Sequence, residues 1–472
     1  MKFYLAGEWQ DRAEKIEVRN PFRGDVVDTV PKATSDDVEA ALSAAVRGAE
    51  TMAALPGYDR YLILRRAAEL MQERAEDLAQ TLSAEEGKTL REARGEVDRS
   101  VQTIELSSEE AKRLGGEVLP LDGGKGTAGK LGFTLRVPCG VVVAITPFNF
   151  PLNLVCHKIG PALAAGNAVI LKPASDTPLV ALKLMHILLD AGLPPLAMSC
   201  ITGSGATVGN GLCGDRRVRK ISFTGSQAVG EQICKVAGLK KVTMELGSNS
   251  PLIVMPDADL EMVTKATLAC GYANAGQVCI SAQRLIVLDE VHDEVMERLQ
   301  PGVEGITAGD QLDESFQMGP MVRTSDAERV QQWVQEAVSA GARLVCGGGR
   351  DGALVQPTLL DNATGDMKVV REEIFGPAVA VLKAADIDAA IRMANDTNYG
   401  LSAGVFTRDI DAAVRFAREV HSGNIHINWG PMWRTDSMPY GGLKDSGLGK
   451  EGPRYAVEEM TEMKTVIIHS HG

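Results

Sequence analysis

The stretch Gly140-Val141-Val142-Val143-Ala144-Ile145-Thr146-Pro147-Phe148-Asn149-Phe150-Pro151 decides the fold. It opens as an unbroken apolar run rich in β-branched side chains, the pattern of a strand buried on both faces. Pro147 ends the run, and Pro151 suits the first turn of a helix. The same unit recurs downstream. Short apolar runs at 168–172, 198–202, 220–224 and 242–245 alternate with helical spacing at 152–164, 177–191, 205–213 and 227–237. Such alternation predicts a parallel sheet covered by helices, with ligands at the C-terminal ends of its strands.

Working outward, a second alternation follows. Strands are expected at 251–254, 285–288, 379–382, 403–406 and 425–428, separated by helices at 258–273, 290–299, 325–340, 386–395 and 410–420. This predicts a second α/β domain, with the boundary near 247–250. Upstream, 35–113 reads mainly as helices. Residues 115–132 are rich in Gly and poor in periodicity, which suggests a strand or hairpin leaving the main body. The tail 463–469 is an apolar strand that must pair with something. The predicted fold class is α/β. Its units are 1–115 with 138–247, then 248–450, and a small β element from 116–137 and 451–472.

The bulk numbers narrow the function. A chain of 472 residues with 44% hydrophobic and 24% charged residues fits a globular protein of two or more domains. The formal net charge of −13 argues against a nucleic-acid partner, which would demand a basic face. No apolar run approaches the ~20 residues of a membrane span. The polar start argues against a signal peptide, so a cytoplasmic, reduced protein is expected. The eight cysteines (139, 156, 200, 213, 234, 270, 279 and 346) form no Cys-x-x-Cys pair, and no metal site is expected.

Two segments suggest a phosphate cradle. Thr202-Gly203-Ser204-Gly205-Ala206-Thr207-Val208-Gly209 has the spacing G-x-G-x-x-x-G, which is not the standard dinucleotide fingerprint. Ser222-Phe223-Thr224-Gly225-Ser226 ends a strand and opens a helix at Ser226. Free N–H groups and the helix dipole there suit a pyrophosphate.

A chemical site is expected at Cys279, in Gly271-Tyr272-Ala273-Asn274-Ala275-Gly276-Gln277-Val278-Cys279-Ile280. Covalent catalysis needs an accessible thiol of lowered pKa, and the Gly276-Gln277 bend favours exposure. With Thr146-Pro147-Phe148-Asn149-Phe150-Pro151, Met244-Glu245-Leu246-Gly247 and Glu373-Ile374-Phe375-Gly376-Pro377, in this order, the chain resembles the aldehyde dehydrogenase superfamily over essentially its whole length.

The resemblance implies NAD or NADP as coenzyme and the oxidation of an aldehyde through a cysteine thiohemiacetal and thioester. Cys279 is then the nucleophile, Asn149 an oxyanion donor with the Cys279 amide, and Glu245 the base for hydrolysis. Relatives that pass the acyl group to coenzyme A lack this glutamate, so a free acid is the expected product. The implied coenzyme residues are Thr146, Pro147, Phe148, Lys172, Ala174, Ser175, Gly205, Gly209, Phe223, Thr224, Gly225, Ser226, Leu246, Glu373 and Phe375. Two positions depart from the usual pattern. Ser175 stands where many NAD users carry Glu, leaving room for a 2′-phosphate, although Asp176 restores some negative charge. Gly247-Ser248 replaces Gly-Gly.

For the substrate, Asn153 and His157 share a helix face turned toward Asn149. Arg434 in the loop 428–436 suggests an anionic group on the aldehyde. Alternatives are an Arg434–Asp436 pair with a core His157, a neutral aliphatic or aromatic aldehyde, and a structural protein on the same fold. The resemblance also implies a homodimer or homotetramer, with the tail strand paired across subunits.

Overall fold

The computed structural model describes residues 1–469. One sheet has eight strands. Across it lie Glu8–Gln10, Phe3–Leu5, Met198–Cys200, Ala168–Lys172, Val141–Ile145, Val218–Thr224, Lys241–Glu245 and Gly447–Leu448. The five from Met198–Cys200 to Lys241–Glu245 run parallel. They include Val141–Ile145, Ala168–Lys172 and Val218–Thr224, as the apolar runs predict. Val141–Ile145, first in the chain among these five, sits centrally. Its neighbours are Ala168–Lys172 on one side and Val218–Thr224 on the other. The connections therefore leave in opposite directions and open a crevice beyond the strand ends. Thr146–Asn149 and Thr224–Ser226 both emerge there.

The second sheet has seven strands: Arg343–Cys346, Thr358–Asp361, Ala378–Ala384, Ala282–Leu288, Ser250–Val254, Ser402–Phe406 and Asn424–Ile427. All but the first run parallel. Each large sheet carries its own apolar core. The chain passes from one sheet to the other between Lys241–Glu245 and Ser250–Val254, and then returns. Gly447–Leu448 pairs with Met244 and Glu245, and the helix Pro453–Glu459 contributes Val457 to the first core.

The tail strand finds a partner within the chain. Thr461–His469 pairs antiparallel with Lys130–Pro138 of its own chain, in register from Thr461↔Pro138 to His469↔Lys130. Val118–Leu119 adds a third strand. A partner within the chain satisfies one edge of the tail strand. The last three residues of the segment 451–472 lie outside the described residues.

The segment before Cys279 is strongly bent. The helix Leu260–Tyr272 ends where Asn274, Ala275 and Gly276 adopt φ of 50°, 51° and 70°. At Gly276 a Cβ would lie 2.1 Å from the Gly376 carbonyl oxygen, so only glycine fits. The turn brings Cys279 to the start of the strand Ala282–Leu288, beside the segment 373–377.

Candidate active site

A cleft of about 610 Å³ lies between the two sheets. Cys279, Asn149, Asn153 and Arg434 line it, together with Pro147, Phe148, Thr224, Gly225, Ser226, Leu246, Glu373 and Phe375. Residues as far apart in the chain as Lys88 and Tyr440 thus meet at one place.

Asn149 is fixed from behind. Its carbonyl accepts from Lys88 Nζ at 2.7 Å and Asn274 Nδ2 at 3.1 Å. Lys88 is buried and paired with Glu96 at 2.7 Å. The other Glu96 oxygen accepts from the amides of Leu152 and Asn153 at 2.9 and 3.0 Å, satisfying the start of the helix Asn153–Ala164. Glu92 binds the Asn274 amide at 2.7 Å and Glu86 its side chain at 2.9 Å. One set of buried charges therefore ties the Asn149 loop to the bend before Cys279. The side-chain N–H of Asn149 donates to the Gln277 carbonyl at 2.9 Å.

Cys279 is half-buried. Its Sγ lies 3.3 Å from the Tyr440 hydroxyl. The lowered thiol pKa expected from the sequence is not found. Burial pushes the Cys279 thiol up to about 12, opposed by the Tyr440 hydrogen bond, with Glu373 and Glu245 adding to the rise and Arg434 opposing it. Glu245 is buried, and neither carboxyl oxygen has a partner among the described residues. Burial and the nearby Glu451 push it well above the usual carboxylate range. Its Oε1 would lie 2.8 Å from a Cβ at Gly441.

His157 does not reach the cleft. It is buried behind Arg434, with Nε2 2.8 Å from Asp436 Oδ1 and 3.0 Å from Arg434 Nη2. Burial, then Arg434, lowers its pKa, so the ring is neutral near pH 7. Asp436 is not the partner of Arg434. It binds Arg99 at 2.7 Å, His157, and Asn153 Nδ2 at 3.3 Å. Arg434 pairs with Glu451 at 3.4 Å, which Lys158 also holds at 2.9 Å. The Arg434 guanidinium lies 3.8 Å above the Tyr440 ring, and its Nε has no hydrogen-bond partner among the described residues.

Elsewhere along the cleft, Glu373 Oε1 accepts from the Ser248 amide at 3.0 Å, and burial pushes its carboxyl up to about 7. A Cβ at Gly247 would lie 2.3 Å from Glu373 Oε2. Phe148 and Phe375 meet edge to face at 5.9 Å. The helix Gln227–Ala237 begins at Ser226 with no side-chain cap, leaving its first amides open to a phosphate. Phe223 points the other way. It lies in the core beneath Gly225, where a Cβ would be 2.5 Å from its ring. Thr146, Lys172, Ala174, Ser175, Gly205 and Gly209 also lie off the cleft lining. Ser175 donates to the Gly203 carbonyl at 3.3 Å, and Lys172 is buried, which lowers its pKa to about 8.

The residues fit a coenzyme and an aldehyde. Buried polar atoms of Thr146, Asn149, Thr224, Glu245 and Arg434 have no partner among the described residues, a concentration that a polar ligand would relieve. Sequence reasoning missed Tyr440, Arg99, Lys158, Glu451 and the buried Lys88–Glu96 pair. None carries a local pattern, and each acts through a neighbour distant in the chain.

A family model for the aldehyde dehydrogenase family matches residues 9–466. The chain belongs to the aldehyde dehydrogenase family. It is 47% identical over 466 residues to a 3-sulfolactaldehyde dehydrogenase of Priestia aryabhattai, covering 99% of this chain and 97% of that one. Among solved structures it resembles an aldehyde dehydrogenase of Physcomitrella patens in complex with its reaction product succinate. That match has 39% identity and a TM-score of 0.97, and covers 99% of this chain and 98% of the other. An NADP-dependent enzyme of E. coli is 40% identical with a TM-score of 0.97, covering 99% and 98%. This aldehyde dehydrogenase is thus an oxidoreductase of the NAD(P)-dependent type.

Proposed function

We propose that the chain oxidises a small anionic or hydroxylated aldehyde to the free carboxylic acid. The observation that carries this reading is the meeting of Cys279 Sγ, Asn149 and Arg434 in one cleft. Cys279 adds to the aldehyde carbon, and the C=O electrons move to oxygen. The Asn149 side chain and the Cys279 amide receive that oxyanion. Bound nicotinamide supplies a hydride acceptor. Glu245, whose pKa burial and Glu451 push well above the usual carboxylate range, takes the proton of the water that hydrolyses the thioester. Thr224, Gly225, Ser226, Glu373 and Phe375 hold the coenzyme.

The anionic substrate rests on charge. Around Arg434, the cations Arg99, Lys158 and Arg434 face the ionised Asp436 and Glu451, while burial keeps His157 neutral and raises Glu245. Arg434 lines the cleft, and its Nε has no hydrogen-bond partner among the described residues. Sulfolactaldehyde and succinate, associated with the relatives above, carry a matching anionic group.

We assign NADP as the preferred coenzyme. Ser175 leaves space for a 2′-phosphate, and Asp176 is covered by Arg323, with Nε donating at 3.1 Å. The protein is proposed to be a cytoplasmic homodimer or homotetramer joined through the sheet of 118–119, 130–138 and 461–469. Val118, Leu131, Leu135, Met463, Ile467 and Ile468 are exposed there.

The test measures reduction of NAD and NADP with short anionic, hydroxylated and neutral aldehydes, on wild type and Cys279→Ala. Turnover that needs Cys279 and favours anionic aldehydes supports the reading. Preference for neutral aldehydes refutes the role of Arg434, and turnover by Cys279→Ala refutes the mechanism.

A further inference from the structure

Tyr440 belongs to none of the segments that identify the chemistry, yet it touches the reacting atom. It follows Pro439 in a loop 161 residues beyond Cys279, and its hydroxyl lies 3.3 Å from Sγ. It is buried in a small apolar cluster with Val278, Ile280 and Leu401, and Cys279 packs against that cluster. The phenol is fixed on two sides. Backbone bonds with Glu451, 3.1 Å from the Tyr440 amide and 2.7 Å to its carbonyl, hold the chain. The Arg434 guanidinium covers the ring face at 3.8 Å. Sγ is the hydroxyl's one hydrogen-bond partner among the described residues.

We propose that the Tyr440 hydroxyl is a catalytic hydrogen-bond donor to Cys279 Sγ, holding the sulfur as thiolate before attack and again as it leaves in hydrolysis. In the first half-reaction the S–H proton departs to solvent or base, the donor steadies the anion, and the C–S bond forms. In the second, water adds to the thioester and its proton passes to Glu245. The tetrahedral carbon then collapses, the C–S bond breaks, and its electron pair returns to a sulfur facing the same donor. No redox partner beyond the coenzyme is needed.

The surroundings favour this direction of donation. Burial drives the Tyr440 pKa well above its ordinary value, so the phenol keeps its proton at working pH. A cation over the ring makes that proton a better donor. The charged and titratable groups around the pair are Arg434, Glu245 and Glu373. Tyr440 is the direct hydrogen bond opposing the rise in the Cys279 pKa.

The proposal rests on Cys279 being the nucleophile, and alkylation tests it without turnover. Iodoacetamide labelling of Cys279 is followed against pH in wild type, Tyr440→Phe, and protein carrying 3-fluorotyrosine at 440. Loss of one hydrogen bond to a charged group should raise the labelling midpoint by about one unit for Tyr440→Phe, an effect of ~1.4 kcal/mol. The more acidic fluorophenol should lower it. At pH 7, kcat of Tyr440→Phe should fall roughly tenfold and recover at higher pH, while KM for aldehyde and coenzyme changes less than about threefold. An unchanged labelling profile in both variants overturns the proposal, as does a rise in KM with kcat intact. Turnover by Cys279→Ala would instead overturn the underlying mechanism.

Discussion

The reacting groups are not held in their working protonation states by local sequence. Cys279 and Glu245 both have raised pKa values, chiefly from burial. Both work deprotonated, so activity should fall as pH is lowered, along a limb lying above the ordinary carboxylate range. A pH profile of kcat checks this, and a limb at pH 4 to 5 would contradict it. Glu245→Gln should cut steady-state turnover by ~10²–10⁴, the usual contribution of a general base. A burst of coenzyme reduction should survive, since thioester formation precedes hydrolysis. Gly247→Ala probes the other end. Its Cβ would meet Glu373 Oε2 at 2.3 Å, so coenzyme KM should rise about tenfold, a loss of ~1.4 kcal/mol, with the aldehyde KM little changed.

At the scale of elements, the helix Asn153–Ala164 has no side-chain cap from its own N-cap residue, Leu152. Glu96, from the helix Leu90–Ala111, supplies that bond from another element and also neutralises buried Lys88. Glu96→Ala should therefore destabilise by ~3–5 kcal/mol, the cost of stranding one buried charge of a pair. Thermal unfolding measures this. The variant should also lose kcat, because Lys88 carries the Asn149 carbonyl. The strands Val141–Ile145, Ala168–Lys172 and Val218–Thr224 were legible because burial on both faces demands unbroken apolar runs. Phe3–Leu5 and Glu8–Gln10 were not, since three residues show no period. Thr358–Asp361 escaped for a similar reason: it spans four residues, two of them polar.

At the scale of the whole molecule, several ion pairs cross from one unit to the other, among them Arg23–Asp310, Arg94–Glu314, Arg99–Asp436 and Arg323–Asp176. Arg323, at the start of the helix Thr324–Ser339, binds Asp176 beyond the strand Ala168–Lys172, and its guanidinium lies 5.2 Å above the Phe148 ring. Arg323→Gln uncovers Asp176 near the proposed 2′-phosphate position. KM for NADP should rise about tenfold, a change of ~1.4 kcal/mol, and Asp176→Asn in the same chain should restore it. KM for NAD should move much less. The exposed face of the three-stranded sheet predicts that a chain ending at residue 460 is monomeric by light scattering, whereas the full chain is not.

The sequence by itself determined the alternation of strands and helices and the segments that carry the family resemblance. Those follow from apolar periodicity and residue chemistry, which act over a few neighbours. Tertiary structure decided how the site works. Tyr440 lies 161 residues from Cys279 in the chain and 3.3 Å from it in space. Asp436, one alternative partner for Arg434 by sequence, instead serves Arg99 and His157. The tail strand joins Lys130–Pro138 of its own chain. Burial and the placement of distant charges set these outcomes, and neither can be read from the spacing of residues along the chain.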